Sequence, residues 1–381
     1  MTTVVISPFM TLHFLEGGGH FWVYLQYVQG LRQAGCDVYW LEQLPADLPR
    51  PEAAKVEAWL KRLRRYGLGE KVILATGDAA GDDRRYVTTT GSSAQDVFAG
   101  ADLLLNFHYA MDADLLAAFR RTALVDIDPG LLQMWMSAGQ VRVGSHDVYL
   151  TTGETVGTAE ARFPDCGLEW HHIRPPVSLD LWPYTFDPAC EAFTTVTDWW
   201  GAHAPEIVDG RLQLYDNTKR ASFLPFVELG SLTRQPLELA VLLTSGDGDD
   251  RRLLERHGWR VRQSSEVSST PERYREYIQR SRGEISCVKP SCIKLQNAWI
   301  SDRSLCYLAS GKPVVVQDTG PSDFLPGGEG FFRFATPEQA AAAMATVNAD
   351  YEGHCRAARQ LAETHFDARR TAERLLDIAL A

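Results

Sequence analysis

The chain has no apolar run of the roughly 18 residues that a membrane-spanning helix requires. Its first residues, Met1-Thr-Thr-Val-Val-Ile-Ser-Pro8, have neither the basic start nor the long apolar core of a secretory signal. A cytoplasmic location is expected on that basis. Cysteine is sparse and unpaired by spacing. The 7 cysteines are an odd number, and the close pair Cys287 and Cys292 has no second pair to complete a zinc site. Reduced core thiols are the expectation. Positive charge is also in deficit: 38 Lys and Arg face 49 Asp and Glu, a formal net charge of -11. That balance repels polyanions and disfavours nucleic acid as a partner, so a small or neutral substrate is expected. The sequence has no internal repeat and no low-complexity tract.

What is present is ordinary globular composition, 45% apolar and 23% charged, over 381 residues, too many for one comfortable hydrophobic core. The Val4-Val-Ile run reads as a buried strand. It leads into the glycine-rich turn Glu16-Gly-Gly-Gly-His20 and then into a helix with Phe21, Leu25, Val28 and Leu31 at helical spacing. Further apolar runs at 36–41, 72–74, 102–107 and 123–127 repeat the strand pattern and predict a parallel sheet flanked by helices. The proline-rich stretch 172–183 suits neither a helix nor a central strand and reads as a linker. Strands are then predicted at 237–243, 258–261 and 313–317, and helix from 336 to the end. The fold class is α/β, with a first domain over 1–180, a second over 181–365, and a terminal helix over 366–381 that packs back toward the first.

The most informative stretch runs from Trp299 to Gly320. Asp302 is expected to cap a helix over 303–310, Gly311 to end it, and Pro313 to open the next strand. A helix N-terminus offers unpaired N–H groups and partial positive charge, which suit a diphosphate, and Arg303 and Ser304 in the first turn can add hydrogen bonds. Lys289 and Lys294 lie close enough in sequence to be phosphate partners.

This stretch resembles the GT-B glycosyltransferases that use nucleotide sugars, especially the group that includes glycogen and sucrose synthases. The likeness rests on the small-residue helix, Gly311-Lys-Pro-Val-Val-Val316, Asp318-Thr-Gly320 and the segment from Gly328 to Ala340. The linker Arg174-Pro-Pro-Val-Ser-Leu-Asp180 and the loop containing Gly18 and Gly19 are similar to two further motifs of that group, the loop facing the cleft. The resemblance implies two Rossmann-like domains facing across a cleft, a nucleoside-diphosphate sugar as co-substrate, and no cofactor. Donor contacts are implied at Arg303, Ser304, Asp318, Thr319 and Gly320. The group's pair of glutamates is missing, its places taken by Ala298 and Cys306, which leaves Asp302 as the substitute carboxylate.

Ligands of open α/β sheets meet the loops at the carboxyl ends of the strands. Those loops carry His20, His108, Asp126 and Asp128. His20 is expected to deprotonate an acceptor hydroxyl if configuration inverts, with Asp126 or Asp128 orienting it. If configuration is retained, the leaving phosphate can take the proton. The resemblance assigns sugar positioning to His108. Asp126-Ile-Asp128 also has the form of an Asp-x-Asp metal motif, but the GT-B likeness favours a metal-independent reaction. Phe21, Trp22, Tyr24 and Tyr27, with Met134-Trp-Met136, are either core or the lining of an apolar acceptor pocket. The expected activity is glycosyl transfer to a small-molecule hydroxyl. A nucleotide-sugar 2-epimerase and a non-catalytic nucleotide-sugar-binding protein are the competing readings.

Overall fold

The computed structural model describes residues 1–44, 51–77, 84–208, 211–325 and 327–381. The first sheet is built from β1 (Thr3–Ser7), β2 (Asp37–Gln43), β3 (Val72–Thr76), β4 (Arg85–Thr88), β5 (Leu103–Asn106), β6 (Thr122–Asp126), β7 (Val148–Thr151) and β8 (Trp170–His172). Its strands lie in the order β4-β3-β2-β1-β5-β6-β7-β8, parallel except for β4 at one edge. Val4, Val5 and Ile6 are buried to the last atom, as a central strand covered on both faces requires.

The chain continues through β9 (Phe193–Asp198), the hairpin β10 (Ala204–Val208) and β11 (Arg211–Tyr215), then β12 (Leu237–Leu242), β13 (Trp259–Gln263), β14 (Gly283–Ser286), β15 (Val314–Gln317) and β16 (Phe331–Phe334). The second sheet is parallel throughout, in the order β13-β12-β9-β14-β15-β16. Counted within that sheet the order is the doubly wound 3-2-1-4-5-6. The sequence reading has no counterpart for β9, although Thr194, Thr195, Val196 and Thr197 are β-branched and suit a strand. Most expected strands recur within a residue or two, an ordinary error for element ends.

The helical C-terminus is three helices, Pro337–Ala349, Tyr351–His365 and Ala368–Ala379. Asp350 and Asp367 interrupt the run and cap the second and third helices by accepting the N–H groups of Gly353 and Arg370. The last helix lies against the first, Gly18–Gln33. A Cβ on Gly30 would stand 2.2 Å from the Ala368 carbonyl oxygen, so only glycine permits this approach. Arg121 ties the far end by donating to the Ala379 carbonyl at 2.9 Å. A single apolar cluster consequently runs beneath both halves, from Leu25 and Trp40 to Leu305, Val314 and Leu375. Among the described residues no helix is long and apolar enough to cross a membrane. All seven cysteines are free, and Cys166 alone among them is not buried.

Candidate active site

In each sheet the chain direction of winding reverses beside one strand, at β1 between β2 and β5 and at β9 between β12 and β14. Loops leaving such neighbouring strands diverge and open a crevice at their carboxyl ends. Both crevices contribute to one cleft of about 590 Å³: Phe9 and Phe107 follow β1 and β5, Asp198 ends β9, and Lys289 follows β14.

His20 lines this cleft from the first helix. Its Nε2 lies 2.6 Å from the Phe9 carbonyl oxygen, which can only accept, so Nε2 carries the proton and Nδ1 holds the lone pair. Burial lowers the pKa of the ring, with a smaller opposing effect from the Phe9 bond and from the charges of Asp198 and Asp128. A neutral imidazole with an available lone pair can accept a proton. Its orienting group is thus the Phe9 carbonyl, and neither Asp126 nor Asp128 makes the hydrogen bond expected of an orienting partner.

The two aspartates separate sharply. Asp126 is fully buried, and its carboxylate accepts from Gln133 Nε2 at 2.9 Å, Thr151 Oγ1 at 3.0 Å and the Asp128 N–H at 3.0 Å. Burial pushes its pKa up to about 7. It holds the end of β6 together and does not line the cleft. Asp128 is half-buried, lines the cleft and faces Lys289 across it at 3.9 Å. The Asp-x-Asp pair therefore does not offer two carboxylates to one cation.

On the opposite wall the eight-residue helix Asp302–Ala309 points its N-terminus into the cleft. Ser301 is the cap, its Oγ accepting the Arg303 N–H at 3.3 Å, so the expected cap at Asp302 is corrected by one residue. Asp302 becomes the first helical residue, lines the cleft, and has its pKa raised to about 6 by burial. Arg303 is also corrected. Its guanidinium donates to the wholly buried Glu284 at 2.7 Å, to the Val196 carbonyl at 3.0 Å and to Ser286 Oγ at 2.6 Å. It joins β9, β14 and the helix, and the expected donor role does not fit a group so fully engaged. Ser304 and Thr319 line a small adjoining cavity of about 20 Å³, where Thr319 donates to the Trp299 carbonyl at 2.7 Å. Asp318 and Gly320 line neither space. The Asp318 carboxylate accepts the Gly320 N–H at 3.1 Å and faces Arg333. Where the glutamate pair is missing, Ala298 is buried with φ at 54° and Cys306 is buried against Gln26.

Other expected contacts are displaced. Phe107 and Tyr109 line the cleft, whereas His108 between them does not, and its ring packs edge-on to Phe9 at 5.1 Å. Gly19 lines the cleft, but both loop glycines also serve packing. A Cβ at Gly18 would fall 2.3 Å from the Thr270 carbonyl oxygen and one at Gly19 would fall 2.8 Å from the Tyr274 ring. Lys294 is engaged with Glu206 and the Tyr215 ring, away from the cleft. Of the aromatic set, Phe21, Trp22, Tyr24 and Tyr27 are core, Tyr24 lying directly behind the cleft, while Trp135 presents surface to it.

Two charged groups escaped the sequence reading: Asp198, which lines the cleft, and Lys219, whose turn is joined to the segment that carries the cleft residue Lys289. Asp198 is exposed at the end of the overlooked β9. Lys219 begins a short helix capped by Thr218 and donates to the Cys287 carbonyl at 2.6 Å, with no carboxylate partner among the described residues. Burial, then the nearby charge of Arg303, with Lys289 adding to it, lowers its pKa to about 7. The available signal was the run Asp216-Asn217-Thr218-Lys219, in which Asn217 accepts the Ser291 N–H at 2.8 Å and joins this turn to the loop carrying Lys289.

No family model and no curated protein matches this sequence. Solved structures do match over the whole chain. An alpha-glucosyltransferase in complex with UDP and a 13-mer DNA is 10% identical with a TM-score of 0.62, covering 100% of each chain. Anabaena HepE in complex with UDP-glucose is 11% identical with a TM-score of 0.55, covering 99% of each chain. Sucrose-phosphate synthase from Thermosynechococcus elongatus is 12% identical with a TM-score of 0.53, covering 99% of this chain and 98% of its own. The fold is GT-B, two Rossmann-like units facing across a cleft.

Proposed function

We propose that the chain is a glycosyltransferase that moves a sugar from a nucleoside diphosphate to a hydroxyl group of a small molecule held in the cleft. The observation that carries this reading is the pairing of unlike groups across one GT-B cleft. A neutral imidazole with a free lone pair stands on one wall, and on the other stand Lys289 and a helix N-terminus, with Lys219 close by, hydrogen-bonded to the Cys287 carbonyl and without a carboxylate partner among the described residues. In this reading residues 181–365 bind the donor, residues 1–180 bind the acceptor, and 366–381 strap the two together.

The acceptor oxygen attacks the anomeric carbon, the bond from that carbon to the diphosphate oxygen breaks, and the nucleoside diphosphate leaves with the electron pair. His20 Nδ1 takes the acceptor proton. Lys219, Lys289 and the first-turn N–H groups of the Asp302–Ala309 helix stabilise the charge developing on the leaving group, the largest single effect in such reactions. The Asp302 carboxylate, at the same helix end, would repel phosphate and accepts a hydrogen bond from a sugar hydroxyl instead. The lysines and helix end supply the positive charge without a divalent cation. Turnover is accordingly expected to survive chelation, and its loss in EDTA would overturn that part.

Because neighbours of this fold were solved with UDP, UDP is the first nucleotide to test. Thermal unfolding with UDP, GDP and ADP tests the donor reading. A diphosphate at 100 times its Kd is expected to stabilise the chain by about 2.7 kcal/mol, and its monophosphate by clearly less. If no nucleoside diphosphate raises the melting temperature, the proposal fails.

A further inference from the structure

The cleft divides by chemistry along the line between the two halves. The residues that line it from the N-terminal half are mostly apolar, with Phe9, Tyr109 and Trp135 the large ones that keep exposed surface beside His20 and Asp128, whereas Asp198, Lys289, Asn297 and Asp302 come from the C-terminal half together with one aromatic, Trp299. The aromatic wall is not loose surface. Tyr24 meets Phe107 edge to face at 5.3 Å, and Phe107 meets Tyr27 at 4.8 Å, so rings that line the cleft are continuous with the core. Tyr109 is fixed by its hydroxyl, which accepts the N–H groups of Ile127 and Asp128 at 3.0 and 3.1 Å.

We propose that the acceptor is a small, uncharged aromatic molecule bearing a hydroxyl group, seated against Phe9, Tyr109 and Trp135 with its hydroxyl at His20. This inference rests on the glycosyltransferase reading and names the substrate class of that same site. Three observations select this class over the alternatives. A sugar acceptor needs a hydrogen-bonding partner for nearly every hydroxyl it buries, and this wall supplies few. A polyanionic acceptor such as DNA meets Asp128, Asp198 and Asp302 at the cleft and a chain of net charge -11. An epimerase that handles the nucleotide sugar alone has no use for an aromatic wall. Rings offset or edge-on to Tyr109 and Trp135 add about 0.5–1.5 kcal/mol per pair beyond the area they bury.

The chemistry of the base agrees. His20 is held edge to face against the buried Tyr24 at 5.2 Å and lines the same cleft as Tyr109 and Trp135, the rings against which the acceptor is seated. Burial weakens that imidazole as a base. A phenolic hydroxyl, with an ordinary pKa of about 10, is far easier for it to deprotonate than an aliphatic alcohol.

The test is equilibrium binding to the full chain saturated with UDP, with 4-methylumbelliferone, maltose and a short DNA duplex as probes. UDP affinity is measured by calorimetry on the same samples. The coumarin phenol is expected to bind and the other two not. Trp135→Ala is expected to weaken the phenol about tenfold, and Trp135→Phe to restore most of it, with UDP affinity unchanged in both. Binding of maltose or DNA but not the phenol would overturn the inference, as would a Trp135→Ala variant that binds the phenol normally. The two readings fail separately: phenol binding without UDP binding sinks the donor site, and UDP binding without phenol binding sinks the aromatic acceptor.

Discussion

Lys219 and Arg303 occupy the same corner of the C-terminal half, near enough for the charge of one to lower the pKa of the other, yet they do opposite things. Arg303 has found Glu284, a carbonyl and a hydroxyl, and so closes a network joining two strands to a helix. Lys219 has found a single carbonyl and no carboxylate among the described residues, and burial lowers its pKa to about 7. On the facing half the same contrast separates Asp126, satisfied by three donors, from Asp128, which is half-open to the cleft. The lesson is that a charge serves the fold when its partners are internal and serves a ligand when they are missing. Proximity to the cleft does not distinguish the two.

The comparison breaks or sharpens at four substitutions. His20→Gln keeps the size of the ring and removes the base, and turnover is expected to fall about 10²–10⁴-fold with UDP affinity unchanged. The wild-type pH profile supports the same assignment through its sign. Because the imidazole pKa is lowered, the neutral form persists below the ordinary histidine value, so turnover should stay level from pH 8 to 6.5 and decline only at lower pH. A decline already under way at pH 7 would contradict it.

Arg303→Ala leaves Glu284 buried and unpaired, and denaturant unfolding should register a loss of about 3–5 kcal/mol. A variant of normal stability that had lost UDP affinity would reverse the roles of Arg303 and Lys219. Lys219→Met is expected to fold normally and to lose about 10²–10³-fold in turnover, the scale of removing one group that stabilises transition-state charge. It carries a second signature. A diphosphate should raise the lowered pKa of Lys219, so UDP binding at pH 8 takes up a proton, seen as a binding enthalpy that varies with the ionisation heat of the buffer. That variation should vanish in the methionine variant. Asp128→Asn is the mildest. It breaks a half-exposed pair with Lys289, a contact worth about 0–1 kcal/mol, and should change UDP affinity by less than about fivefold.

Much of the scaffold was legible because periodicity and punctuation are local. Val4-Val-Ile read correctly, as did the helix before Gly311 and the strand after Pro313, while the expected glycine turn over 16–20 gives way to a helix that already starts at Gly18. His20 and Asp128 were legible as cleft residues, since both follow strand ends in a sheet whose parallel order the sequence implied. β9 was overlooked because its threonines hide a buried strand from any search for apolar runs, and Asp198 was lost with it. Lys219 was lost for a related reason. Its turn precedes the expected donor segment by about eighty residues, and only Asn217 bonding to Ser291 brings it there. His108 misled because an extended chain alternates its side chains, so a cleft-facing Phe107 and Tyr109 turn the residue between them away.

By itself, the sequence determined the α/β character of both halves, the helix whose N-terminus enters the cleft, and the acidic balance that opposes a polyanionic partner. These follow from backbone propensity, side-chain period and net charge, which are properties of neighbouring residues or of the whole chain. Only the tertiary structure decided which charges are free. Glu284 neutralises Arg303, Gln133 and Thr151 satisfy Asp126, and the aromatic wall gathers Phe9, Tyr109 and Trp135 from three separate segments. Whether a buried charge is quenched or left for a ligand depends on partners many residues away, and that pairing exists only once the chain has folded.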